Sequence, residues 1–137
     1  GETFSMFKDF AHAPSKVQAT INAIKEQFPE RKIIACLELH TYSSLSEEFL
    51  HHYAGTMESA DNAIVYFNPH AIQLKRLKEI SPEQIKTGFA RSDLEVFNDS
   101  NKLQEKLVSE PKENSVFLFM SSGDFDGLNL KELLPSN

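Results

Sequence analysis

The chain has 137 residues, 40% apolar and 25% charged, the size and balance of one folded domain and not of a disordered or membrane-embedded chain. Its 20 acidic and 14 basic side chains leave a net charge of −6, which argues against non-specific nucleic-acid binding, a task for Lys and Arg. No apolar run approaches the roughly 20 residues of a membrane span, no apolar leader follows Glu2, and a single cysteine, Cys36, fits a reducing cytosol. The chain opens on Gly1, not Met, and reads as a fragment of something longer.

The first expected strand covers residues 3–8, where Phe4 and Met6 alternate with polar neighbours. Val17, Ile21, Ile24 and Phe28 then recur on one face of a helix that Pro14 opens and Pro29 stops. Residues 33–37 form a continuous apolar run, as do 63–67 and 116–120. Runs of this kind suit strands covered on both faces, as in a parallel sheet between helices. Leu45, Phe49, Tyr53 and Met57 predict a second helix, with Ser44 and Glu47 as its capping box. Residues 68–79 are the least patterned stretch and read as a surface loop.

Ser81 and Gln84 repeat the capping signature ahead of Ile85 and Phe89, and a short strand follows at 94–97. Asp99 or Ser100 caps a helix that buries Leu103 and Leu107, and Leu130, Leu133 and Leu134 predict a last one. Strand and helix thus alternate five times. That order predicts a single α/β domain over 1–137: a Rossmann-like, open and mostly parallel sheet of five or six strands with helices on both faces.

In such sheets ligands bind beyond the carboxyl ends of the strands. Those ends carry Asp9 and His12, then Glu38, His40, Thr41, Ser43 and Ser44, then His70, then Ser121, Ser122 and Gly123. Asp9 and His12, just before a helix, can organise a phosphate or a proton transfer, or can simply end a strand and open a helix. Ser121, Ser122 and Gly123 can cradle an anion with their amides, or form a tight turn that needs Gly123 at positive φ. Glu38 reads equally as functional or as a solvated strand end. His51 and His52 point in different directions on a helix and read as a solvated pair, and Cys36 as inert core. The sequence has no zinc spacing, no nucleophile elbow and no Gly-Lys pair for a phosphate-binding loop, so no metal site is expected.

Residues 9–20, from Asp9 through His12, Pro14 and Val17 to Ala19 and Thr20, resemble the D-Y-x-H-x-P-x-x-(V/I)-x-A-T segment that opens the C-terminal domain of Mur ligases. Residues 33–44 resemble the family's strand and loop that often read P-H-R-Y-S-R, and 116–125 its V-x-L-x-M-G-A-G-D segment. The nearest branch is the muramate-type ligases, which add L-alanine or a recycled tripeptide. The resemblance implies an ATP-dependent, amide-forming enzyme of bacterial peptidoglycan biosynthesis, working in the cytoplasm through an acyl phosphate. Its partners would be the preceding N-terminal and central domains, the UDP-sugar and the amino-acid or peptide acceptor. ATP and Mg would be bound mainly by the central domain, with no cofactor required by this chain, and the isolated domain would be inactive.

Carried over by position, Asp9 and His12 would be catalytic, and His40, Thr41, Ser44, Ser121, Ser122 and Gly123 would bind substrate. Thr41 and Ser44 stand where the L-alanine branch often has arginines, which favours the peptide L-Ala-γ-D-Glu-meso-diaminopimelate as acceptor. The alternatives are an L-alanine-adding domain and a free-standing α/β module for a small anion.

Overall fold

A computed structural model describes residues 4–134. Five strands, β1 (Phe4–Asp9), β2 (Lys32–Leu39), β3 (Asn62–Phe67), β4 (Glu95–Phe97) and β5 (Ser115–Met120), form one parallel sheet in the order β1-β5-β2-β3-β4. The expected Rossmann-like α/β architecture is therefore present, with Thr3 of the first expected strand outside the described residues. The three apolar runs are the three central strands, and each buries side chains on both faces.

Alternate residues of each central strand enter different cores. Ile33, Ala35, Leu37 and Leu39 meet the front core with Val17, Ile21 and Ile24 of helix α1 (Pro14–Gln27). Ile34 and Cys36 meet the back core with Leu103 and Leu107, which lie on the helix Ser100–Ser109. Asp99 caps that helix through the amides of Asn101 and Lys102, and Ser81 and Gln84 form the expected capping box on the helix Pro82–Phe89.

Three elements differ from expectation. The stripe from Leu45 to Met57 is not an α-helix. It is a 3-10 helix, Glu47–Tyr53, extended by turns, whose buried positions Leu50 and Tyr53 lie three apart, while Leu45 and Met57 of the stripe are buried on either side of it. Ser44 does not cap it; the hydroxyl is buried and bonded to Thr41 instead. The stretch 68–79 is not wholly loop, since Asn68 accepts from the His70 amide and Pro69 opens a short helix, α2 (Pro69–Leu74). Ile72 is its buried anchor, too little to show a period. The last helix is a single 3-10 turn, Leu130–Leu133, in which Leu133 is buried while Leu134 is half exposed.

The segment leaving β2 packs Leu45 and Leu50 into the front core, and the segment leaving β5 packs Phe125 and Leu133 into the back core. These diverging exits open a crevice between neighbouring strand ends, where ligands of open α/β sheets are bound.

Candidate functional site at the carboxyl edge of the sheet

β1 and β5 end side by side, and the Ser121 amide donates to the Asp9 carbonyl at 3.0 Å. Beyond them lies a cavity of about 280 Å³ floored by Phe119, Phe125, Leu128 and Leu130, with Lys8, Asp9, Ser121 and Asp124 as its polar wall. An open hollow of about 330 Å³ adjoins it, lined by Asp9, His12, Lys16 and Thr20. Asp9 borders both.

The Asp9 carboxylate accepts the Ala11 amide at 2.8 Å and so shapes the turn into α1. The His12 Nδ1 lies 2.8 Å from the Phe10 carbonyl, an acceptor only, so this nitrogen is the donor. Tyr53 donates to the His12 carbonyl at 2.5 Å and stacks on Phe89, which pins this turn to the front core.

At the end of β2 the Glu38 carboxylate is 2% exposed. Its Oε1 accepts from the Ser121 hydroxyl at 2.5 Å and from the Phe125 amide at 3.0 Å, and its Oε2 lies 4.0 Å from His40 Nδ1. The Ser121 Oγ accepts the Gly123 amide at 2.7 Å. Gly123 does not take a positive φ; a Cβ there would sit 3.1 Å from Glu38 Oε1 and 3.4 Å from the His40 ring, so what glycine gives this position is close approach to both side chains. The left-handed residues lie just after it, at Phe125, Asp126 and Gly127.

The structure thus gathers Asp9, Ser121 and Gly123 around one cavity, with His40 beside Gly123 and His12 in the adjoining hollow. Thr41 and Ser44 instead spend their hydroxyls on each other and on the loop backbone. Ser122 is exposed and lines neither space. Sequence reasoning left Glu38 undecided and passed over Lys8, Tyr66 and Asp126. The signal for Glu38 was a carboxylate inside a run buried on both faces, which demands partners.

Tyr66 donates to Asp126 Oδ2 at 2.5 Å, and burial together with that bond pushes its phenol well above the usual range. Burial alone pushes Tyr53 up to about 12. The unfolded chain releases these protons near pH ~10 whereas the folded chain holds them, so their stabilisation is whole below that pH and is lost as pH rises through it. The urea midpoint is expected to fall steadily above about pH 10, and Tyr66→Phe to flatten that fall. A midpoint as pH-dependent in both Tyr66→Phe and Tyr53→Phe as in the parent chain would contradict this assignment.

Cys36 is buried with its thiol pushed up by burial, then by Glu38, and is no nucleophile. Among the described residues no cluster of three His, Cys, Asp or Glu forms a metal site, and no helix is long and apolar enough to cross a membrane. Phe10 and Tyr42, exposed at 82% and 63%, follow β1 and β2 and leave apolar side chains open at this edge.

The profile of the family described as "Mur ligase, glutamate ligase domain" matches residues 2–123. The UDP-N-acetylmuramate–L-alanine ligase of Limosilactobacillus reuteri is 29% identical over 134 residues, covering 95% of this chain but 29% of that protein. The chain therefore spans about three tenths of that relative's length. A crystallised domain assigned to a UDP-N-acetylmuramate:L-alanyl-γ-D-glutamyl-meso-diaminopimelate ligase of Haemophilus ducreyi superposes with a TM-score of 0.65 at 25% identity, over 93% of this chain and 87% of that one. A murein peptide ligase of Psychrobacter arcticus gives 0.70 at 19% identity, over 97% of this chain and 28% of that one, and at that identity speaks for the fold alone.

Proposed function

This chain belongs to the Mur ligase family, as its C-terminal, glutamate ligase domain, and on that premise we propose that it is the acceptor-side domain of a longer, cytoplasmic ligase that joins UDP-N-acetylmuramate to L-Ala-γ-D-Glu-meso-diaminopimelate. ATP and Mg, held mainly by a preceding domain, supply the phosphoryl group that activates the muramyl carboxylate. Residues 1–137 then serve as one of three domains. Their task is to present the acceptor amine to the activated carbonyl and to keep water away from it.

The carrying observation is the loop after β2. It contains no Arg or Lys between residues 38 and 46, and Thr41 and Ser44 are consumed by bonds to each other. A free amino acid offers little beyond its carboxylate, which a cation in this loop would hold; a tripeptide offers more surface to the 280 Å³ cavity and its apolar floor. The Haemophilus ducreyi domain, assigned to a ligase of that specificity, supports the same choice.

The adjoining hollow fits the phosphate end of a nucleotide reached from another domain. Lys16 and the His12 Nε2 lie there beside the start of α1, whose first turn carries no acidic residue and no side-chain cap. Exposed Phe10 and Tyr42 give the preceding domains apolar side chains to close against.

The test is turnover by the full-length polypeptide with UDP-N-acetylmuramate, ATP and either acceptor. The tripeptide is expected to exceed L-alanine in kcat/KM by about tenfold or more, some 1.4 kcal/mol of transition-state binding. A preference for L-alanine would establish the second reading, which the Limosilactobacillus reuteri relative favours. No turnover with either would point to a small-anion module.

A further inference from the structure

We propose that Glu38 is the positioning residue of this edge, holding the strained turn that carries Ser121 and Gly123 into place while presenting its second carboxylate oxygen to His40. A buried carboxylate is costly unless its oxygens are bonded, and Glu38 at 2% exposure has one oxygen fully used. Oε1 accepts the Ser121 hydroxyl and the Phe125 amide, and through Ser121 it also fixes the Gly123 amide.

The turn it holds would not stay in place unaided. Phe125, Asp126 and Gly127 have φ of 56°, 54° and 82°, three left-handed residues in succession of which two bear side chains. Three anchors oppose that strain. Glu38 takes the Phe125 amide, Tyr66 and Asn68 donate to Asp126 Oδ2, and the Phe125 ring is buried edge-on against Phe119. The first also fixes Ser121 and Gly123 and faces His40, while the Phe125 ring helps to floor the same cavity. Glu38 Oε2 faces His40 Nδ1 at 4.0 Å, so the same side chain both holds the turn beside the cavity and reaches the imidazole. A core-filling role would need no carboxylate bridging the turn and an imidazole. The inference draws on the ligase reading only for its effect on turnover.

Amide hydrogen exchange on this chain decides the first half. Glu38→Ala is expected to speed exchange at Gly123 and Phe125 by about 100-fold, while Leu37 and Val65 in the β2–β3 ladder stay within about threefold. Glu38→Gln, whose amide oxygen still accepts, is expected to keep Phe125 within about tenfold of the parent chain. Unchanged exchange at Phe125, or ladder amides loosened to the same degree, would overturn the positioning role. Should Glu38→Ala not fold, Glu38→Asp, too short to reach the turn, is expected to free the same two amides.

Turnover of the full-length enzyme decides the second half. Glu38→Gln is expected to lower kcat by about tenfold with acceptor KM within about threefold, because the turn survives and the charge does not. A Gln variant with parental kcat would overturn the link to His40. An enzyme inactive before any substitution would sink the ligase reading alone, and the exchange data would still stand for or against Glu38.

Discussion

Replacing His12 by alanine in the full-length enzyme is expected to cut kcat by at least about tenfold and to leave folding stability within about 0.5 kcal/mol. The two effects separate because of how the residue is held. Tyr53 bonds to the His12 carbonyl, not to its ring, so truncating the side chain keeps that anchor and its stacking on Phe89. What disappears is an imidazole whose Nδ1 proton is committed to the Phe10 carbonyl, leaving Nε2 to act in the hollow. Asp9→Ala is expected to give a similar loss of turnover by another route. It frees the Ala11 amide, relaxes the turn that aims His12, and removes a charge from both spaces. Steady-state kinetics beside a urea unfolding curve for each variant checks this. Parental rates in both variants would remove this pair from the site.

Gly88→Ala is expected to destabilise the chain by about 1–3 kcal/mol, although alanine is the better helix former. Gly88 lies on the helix Pro82–Phe89, where a Cβ would meet Leu50 Cβ at 2.7 Å and the Leu50 backbone at 3.0 Å. Leu50 is buried on the 3-10 helix between β2 and β3, and neither backbone can yield without disturbing Tyr53 or Phe89 beneath. The propensity gain of about 1 kcal/mol is outweighed by that overlap. Gly55→Ala is the control: it has open space but a φ of 77°, so its cost is backbone strain without a clash. An unfolding midpoint for Gly88→Ala equal to or above the parent's would show that the two helices can separate cheaply.

The parts of the fold legible in the sequence were those fixed by local physics. Continuous apolar runs at 33–37, 63–67 and 116–120 mark strands buried on both faces, and Ser81 and Asp99 mark helix starts because their oxygens find amides two or three residues on. Residues 45–57 misled because Leu45, Phe49, Tyr53 and Met57 have helical spacing. Leu45, Tyr53 and Met57 are buried, but Leu50 packs against Gly88 and Tyr53 against Phe89, three residues apart on a 3-10 helix. Residues 68–79 hid a helix because one anchor, Ile72, makes no pattern.

The candidate site divides in the same way. Asp9, Ser121 and Gly123 were legible from their place after strands. Glu38 was not, since its partners Ser121 and Phe125 stand more than 80 residues away and no spacing rule connects them. The bonding of Thr41 and Ser44 was not legible either, because a hydroxyl's partner is invisible in sequence, and here the partner is the other hydroxyl.

The central claim is that this edge works against other domains of one polypeptide, and the intact mass of the native product tests it most directly. The account predicts a protein roughly three to four times this chain's length, as its relatives' lengths imply, with a Gly-Lys-(Ser/Thr) phosphate loop in the part that precedes it. A native product of this chain's own size would contradict it, because the sequence carries no Gly-Lys phosphate loop to hold the nucleotide that activates the carboxylate.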